Sequence, residues 1–181
     1  MAWTAPITFT SGSVLTAAQL NTYLRDNLNE TAPAKFTAAG QLFVSTAANA
    51  GAARTPAQAF IAAVESTAST SYVDLATVGP AVTVTTGTTA LLMFGCWARN
   101  NTNADAAQMS ILGTGATNIS LGDTISVMNS AESAGNLYRT LYQTMLLTGL
   151  TPGVNTFTAK YQSVIGGTST FANRRVAVLP F

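Results

Sequence analysis

The chain has 181 residues, of which 48% are apolar and only 8% charged, against about 25% charged in an ordinary globular domain. Disorder needs low hydrophobicity and a membrane helix needs about 20 apolar residues; the longest apolar run here, ALLMFGCWA (Ala90 to Ala98), meets neither condition. A net charge of +1 with scattered basic residues argues against a nucleic-acid partner, which requires a basic patch to displace counterions.

The polar residues that replace charges are Thr, Ser, Asn and Gln, a composition suited to strands and to a surface that mostly faces other protein. Residues 1–32 form the first expected segment. It opens with Trp3 and Pro6, turns at Ser11-Gly12-Ser13, and enters a helix over about residues 17–29. Thr16 and Gln19 make the capping box T-A-A-Q, and Leu15 with Leu20 makes a hydrophobic staple. Leu20, Tyr23, Leu24 and Leu28 share one helix face. Pro33 restricts Ala32 and should end the helix. A helix of about 13 residues is marginal alone in water, and Asn27 stands where a coiled coil would want an apolar residue. The stripe therefore needs a surface, either its own domain or a neighbouring subunit. Trp3, Leu15, Leu20, Tyr23, Leu24 and Leu28 are the expected anchor and assembly residues.

Residues 33–71 are expected to be a connector rich in Ala, Thr and Gly. Gln41 to Ser45 fits a short strand, Ala47 to Ala53 a turn, and Arg54-Thr55-Pro56 the close of a hairpin. Ala57 to Ala63 fits a helical turn or a strand equally. Ser66 to Ser71 (STASTS) is a polar linker, which places the start of the main domain at residue 72. From there the pattern is strand, turn, strand, with strands expected over 72–78, 81–85, 91–98, 108–112, 118–121, 124–128, 137–147, 154–165 and 171–179. Frequent short strands punctuated by Gly turns predict a sandwich or barrel; residues 72–181 are expected to form a jelly-roll-like antiparallel β-sandwich. Leu91 to Ala98, apolar on both faces, reads as a central strand between two sheets.

The strand from Leu137 to Leu147 is half apolar on both faces, although a sandwich strand needs only one buried face. The second face, with Tyr138, Tyr142 and Leu146, suggests contact with another subunit. Arg174 and Arg175 are adjacent in a strand and so face opposite ways. One should meet solvent. The other should point inward or into a subunit interface and need a carboxylate such as Asp74. The alternative is a pair of edge-strand charges that guard against aggregation.

Three stretches carry a resemblance. W-T-A-P-I-T-F followed by G-S-V-L-T-A-A-Q-L-N-T-Y-L-R-D-N-L resembles the N-terminal segment of minor tail and other virion structural proteins from tailed phages of actinobacteria. G-L-T-P-G-V-N-T-F-T-A-K-Y with F-A-N-R-R-V-A-V-L-P-F, and S-Y-V-D-L-A-T-V-G-P-A-V-T-V, are similar to strands of β-sandwich domains in phage fibre and virion proteins. The resemblance implies a non-enzymatic structural protein of the virion, commonly a homotrimer, anchored to other virion proteins by its N-terminal segment. It carries no catalytic motif. A capsid decoration protein and an adhesin for a host-surface glycan or protein are the alternatives, the adhesin reading resting on loops Asn100–Asp105 and Ser130–Gly135.

The chemistry of catalysis is sparse. The absence of histidine removes Ser-His-Asp and Cys-His mechanisms and the commonest metal ligand, so no catalytic residue, metal site or cofactor is expected. Cys96, the single cysteine, sits in an apolar run and reads as a small buried hydrophobe. A glycosidase needs two carboxylates across a cleft; Asp105, Asp123 and Glu132 fall in predicted loops and are expected to be solvated. The start MAWTAPITF lacks a basic region followed by an apolar core, so the chain is expected to be made in a host cytoplasm and to end up in the virion, without membrane insertion.

Overall fold

The computed structural model describes residues 3–130 and 137–181. They form two units, one ending at Thr55 and one from Pro56 to Pro180.

In the first unit the capping box closes as the sequence predicts. The Thr16 hydroxyl accepts from the Gln19 N–H, and Gln19 Oε1 accepts from the Thr16 N–H at 2.9 Å. The helix α1 (Ala17–Leu20) then continues as a π-helix over Asn21–Asp26. The helix ends at residue 28, before Pro33 can act, and Pro33 does not keep Ala32 out of a helix. It lies in the first turn of a second helix, α2 (Ala32–Lys35), where its missing N–H would have had no intrahelical partner. Strands β1 (Leu42–Ala47) and β2 (Ala50–Arg54) pair as an antiparallel hairpin that turns at Asn49, φ +56°.

The second unit is an antiparallel β-sandwich of jelly-roll type. One sheet runs in the order β5 (Ala81–Thr86), β10 (Gly153–Ser163), β7 (Ala106–Gly115), β8 (Ser126–Ser130). The other runs β3 (Ala57–Ile61), β11 (Ser169–Pro180), β6 (Thr89–Asn100), β9 (Arg139–Thr148), with β4 (Glu65–Thr67) also on β11. We refer to them as the β10 sheet and the β11 sheet. Alternation drives the packing: Phe157, Ala159 and Tyr161 of β10 are buried, as are Leu92, Phe94, Cys96 and Ala98 of β6 and Val176 and Val178 of β11. Met109 and Ile111 of β7 and Val82 and Val84 of β5 complete the core.

Several expectations are settled or overturned by the structure. Residues 50–53 of the turn expected over Ala47 to Ala53 belong to strand β2. The ambiguous stretch at Ala57 is the strand β3, and β3 and β4 both pair with β11. The boundary expected at Ser66–Ser71 therefore lies inside the sandwich. Residues 72–78 and 118–121 form no strand and make only the isolated bridges Val73 to Tyr161 and Gly113 to Ile119. Their short alternation is satisfied by one anchoring side chain each, Leu75 in the core and Ile119 packed against it.

Candidate interaction surfaces

The two outer faces of the sandwich are chemically opposite. On the β10 sheet the outward residues are mostly polar, Thr83 and Thr85 of β5 and Thr156, Thr158, Lys160 and Gln162 of β10, with Val154 and, on β8, Met128 exposed among them. Thr83 and Thr156 hydroxyls bond across the strands at 2.8 Å, and Lys160 pairs with Asp74 at 2.6 Å. This face is suited to water.

The outer face of the β11 sheet is apolar. Strand register sets side chains there in rows: Leu179–Leu91–Leu146, then Gln58–Ala177–Met93–Thr144, then Phe60–Arg175–Gly95–Tyr142, then Ala172–Trp97–Thr140. Leu146, Tyr142 and Trp97 are 58%, 64% and 47% exposed. So β6, expected between two sheets, has only one face covered; its other apolar face looks outward. Tyr138, Tyr142, Leu146 and Arg175, singled out from the sequence, all lie on this side. Arg175 stacks on Phe60, with its guanidinium carbon 4.4 Å from the ring centroid, and Arg99 stacks on Tyr138 at 4.7 Å. In the third row Gly95 leaves a dent. A Cβ built there would lie on the Leu141 carbonyl oxygen, so close strand approach forbids any side chain. The resulting cavity is about 450 Å³.

Arg174 does not belong to this face. A bulge between Ala172 and Arg175, with Asn173 at φ +49°, turns Arg174 inward, where it is fully buried. Its carboxylate partner is Glu65 at 2.9 Å rather than Asp74. Asn is among the few residues that tolerate such a φ.

The first unit carries a second apolar surface. Leu15, Leu20, Tyr23 and Leu24 line a groove of about 270 Å³ with Pro6 and Ile7, and Leu28 is exposed beyond it. Trp3 stands apart from that group: its N–H donates to the Asn49 carbonyl at 2.7 Å and its side chain faces Phe43 and Gly51 across another hollow. Asn27, awkward for a coiled coil, has a different job. Its Oδ1 accepts from the Thr4 N–H at 2.8 Å and its Nδ2 donates to the Thr4 carbonyl at 2.9 Å, so one buried amide holds the N-terminal segment against the helix. Asn27→Ala should release that segment. Hydrogen exchange at the Thr4 amide is expected to speed up about tenfold, the equivalent of one net hydrogen bond; an unchanged rate would show that the clamp does not hold.

The carboxylates are committed elsewhere. Asp105, expected to be solvated, is buried and accepts from Asn100, Ser163 and three backbone N–H groups. Asp123 accepts from Gln108 Nε2 at 2.8 Å and Tyr72 at 3.3 Å. Glu132, and the loop Ser130–Gly135 apart from Ser130 itself, lie outside the described residues. Of the loop Asn100–Asp105, Asn100 and Asp105 are spent on this internal bonding, while residues 101–104 are exposed. Burial pushes the Cys96 thiol up to about 12, with the Arg174 charge acting the other way, so the thiolate is scarce at neutral pH. Among the described residues no group of three or more His, Cys, Asp or Glu side chains is placed to hold a metal ion, and no helix is long and apolar enough to cross a membrane.

No family model and no curated protein matches this sequence. Among solved structures the chain is similar to one described as the structure of Eiger TNF from S. frugiperda, with a TM-score of 0.37 and 10% sequence identity. That match covers 61% of this chain and 64% of the other, so it spans less than two thirds of that protein.

Proposed function

We propose that this protein is a non-enzymatic structural component of a phage virion, of minor tail or fibre type. In this reading its sandwich associates as a homotrimer through the outer face of the β11 sheet, and its N-terminal unit attaches to other virion proteins through the Leu15–Leu28 stripe. The observation that carries it is the asymmetry of the sandwich. One outer face is rich in threonines, while the other exposes Leu146 at the end of the uncharged row Leu179–Leu91–Leu146, with Tyr142 and Trp97 further along it. Exposed contiguous apolar surface marks an interaction site in a soluble domain, and the unpartnered helix stripe supplies a second. Three copies on one particle multiply a weak anchor through effective concentration. The resemblance of both ends of the sequence to virion proteins supplies the biological setting.

Sedimentation of the full chain at micromolar concentration should give three times its mass of 18.6 kDa. Leu146→Asp places a charge in the purely apolar row and should yield monomers, while Thr158→Asp on the polar face should not. A monomeric wild-type chain, or a trimer indifferent to Leu146→Asp, overturns the assembly. Leu20→Asp with Leu24→Asp should leave the trimer intact and prevent its incorporation into particles; normal incorporation would overturn the anchor.

A further inference from the structure

We propose that the dent at Gly95 binds an acidic sugar, a pyranose ring bearing a carboxylate, through Arg175, Trp97 and Tyr142. The site shares this face with the proposed trimer contact, so it requires a trimer seam on the Leu179–Leu91–Leu146 row that leaves the dent open. The dent lies about 13 Å along β6 from the Leu91 row, at the rise of a strand, where the apolar face gives way to aromatic rings and a cation.

Three features define the chemistry. The floor is bare because Gly95 cannot carry a side chain. The walls are flat and exposed: Trp97 on the same strand, and Tyr142 on the neighbouring β9. Aromatic faces of this kind stack on the C–H face of a pyranose, and about 450 Å³ accommodates one or two rings. Arg175 is held in plane by Phe60 at 4.4 Å and makes no ion pair or hydrogen bond among the described residues. Its guanidinium therefore offers a preoriented fork, which suits a carboxylate in bidentate geometry. Gln58 and Asn173 at the rim add amide groups that match ring hydroxyls.

Charge decides against a sister chain as the occupant of this spot. The described carboxylates of the sandwich are Glu65, Asp74, Asp105 and Asp123, and each is bonded within its own domain. A second copy brings none of them free to Arg175. The described carboxylates of a second sandwich therefore do not supply an anion to Arg175, and the two aromatic walls favour a ring over an extended acidic side chain.

The test uses the full chain with Trp3→Phe, which leaves Trp97 as the only tryptophan. Its fluorescence is titrated with sodium glucuronate, N-acetylneuraminate, methyl glucoside and the peptide Ala-Glu-Ala. The same titrations are run on a Leu146→Asp background, so that self-association cannot hide the site. A saturable change with at least one of the two acidic sugars, and none with the neutral glucoside or the peptide, is expected. Arg175→Gln and Tyr142→Ala should each weaken binding at least tenfold with the far-ultraviolet spectrum unchanged, and Arg175→Lys should fall between. The proposal is overturned by no saturable response to either acid in both backgrounds, by undiminished binding to a folded Arg175→Gln protein, or by an equal response to the glucoside or the peptide.

Discussion

Asp105→Asn should destabilise the sandwich by about 3–5 kcal/mol, because it leaves buried donors without an acceptor. The carboxylate is a hub at one end of the sandwich. Oδ1 accepts from the N–H groups of Ala106 and Ile165 at 2.7 and 2.8 Å; Oδ2 accepts from Gly167 N–H, Ser163 Oγ and Asn100 Nδ2 at 2.7, 2.6 and 2.9 Å. Asn100 in turn donates to Ser169 Oγ at 2.8 Å. These partners start β7, follow β10, end β6 and start β11, so one side chain ties four strands. An asparagine of the same shape must aim its NH₂ at backbone N–H donors whichever way it turns. The loop also has no room to adapt, since a Cβ at Gly167 would fall on Thr102 and Asp105. Ser163→Ala, which removes one donor and keeps the hub, should cost only about 1 kcal/mol. Urea denaturation of the two variants checks the contrast, and equal costs would refute the hub.

The same residue sets an acid limit. Burial pushes its carboxyl up, but hydrogen bonds from Ser163, Ile165, Ala106 and Asn100 more than offset this and hold it at about 2. A group whose folded value is depressed contributes stability above its unfolded value, about 3.9, and loses it as pH falls through the folded value. Wild-type stability should therefore drop by roughly 2 kcal/mol between pH 5 and pH 2 from this group alone. Asp105→Asn should be flatter over that window.

The sequence made the sandwich legible where alternation was long. β5 and β10 read correctly because one inward face and one threonine face repeat without interruption. β3 was ambiguous because its inward residues, Ala57, Ala59 and Ile61, are mostly small and give little contrast with Gln58. It becomes a strand only because β11 presents an edge for it. The apolar face was foreshadowed by the double-sided pattern of Leu137 to Leu147, and its extent needed the register that brings Trp97 and Phe60 beside Tyr142. The dent was not legible at all. Gly95 in LLMFGCWAR has no local signature, and its emptiness depends on the approach of β9. The hub at Asp105 was equally hidden: N-N-T-N-A-D looks like a solvated loop until the ends of four strands converge on it.

The opposing orientation of Arg174 and Arg175 was readable from strand geometry, but which one turns inward was not. That choice sets the second large effect. Removing the partner of a buried ion should cost about 3–5 kcal/mol, so Glu65→Leu alone should be severe. Arg174 Nη1 donates to the Thr77 carbonyl at 3.3 Å; its buried Nε and Nη2 have no hydrogen-bond acceptor among the described residues and rely on the Glu65 charge, 2.9 Å from Nη2, and on the Tyr161 ring at 5.4 Å. Arg174→Met alone should cost less, about 1–2 kcal/mol. Glu65 then keeps the Thr77 N–H and hydroxyl, and its side chain retains some water. Burial raises the Glu65 carboxyl, but those Thr77 bonds and the Arg174 charge together hold it below the usual range. With both replaced, the exposed Thr77 backbone can turn to solvent and the Met fills the volume beside Tyr161. The double variant should then be more stable than Glu65→Leu, with a coupling of about 2–3 kcal/mol in a denaturation cycle. Additive costs would mean that the pair acts only as filler. Strong coupling would mean that the Asn173 bulge, which turns Arg174 away from the apolar face, is justified by this one ion pair, and that it leaves Arg175 as the cation at the dent.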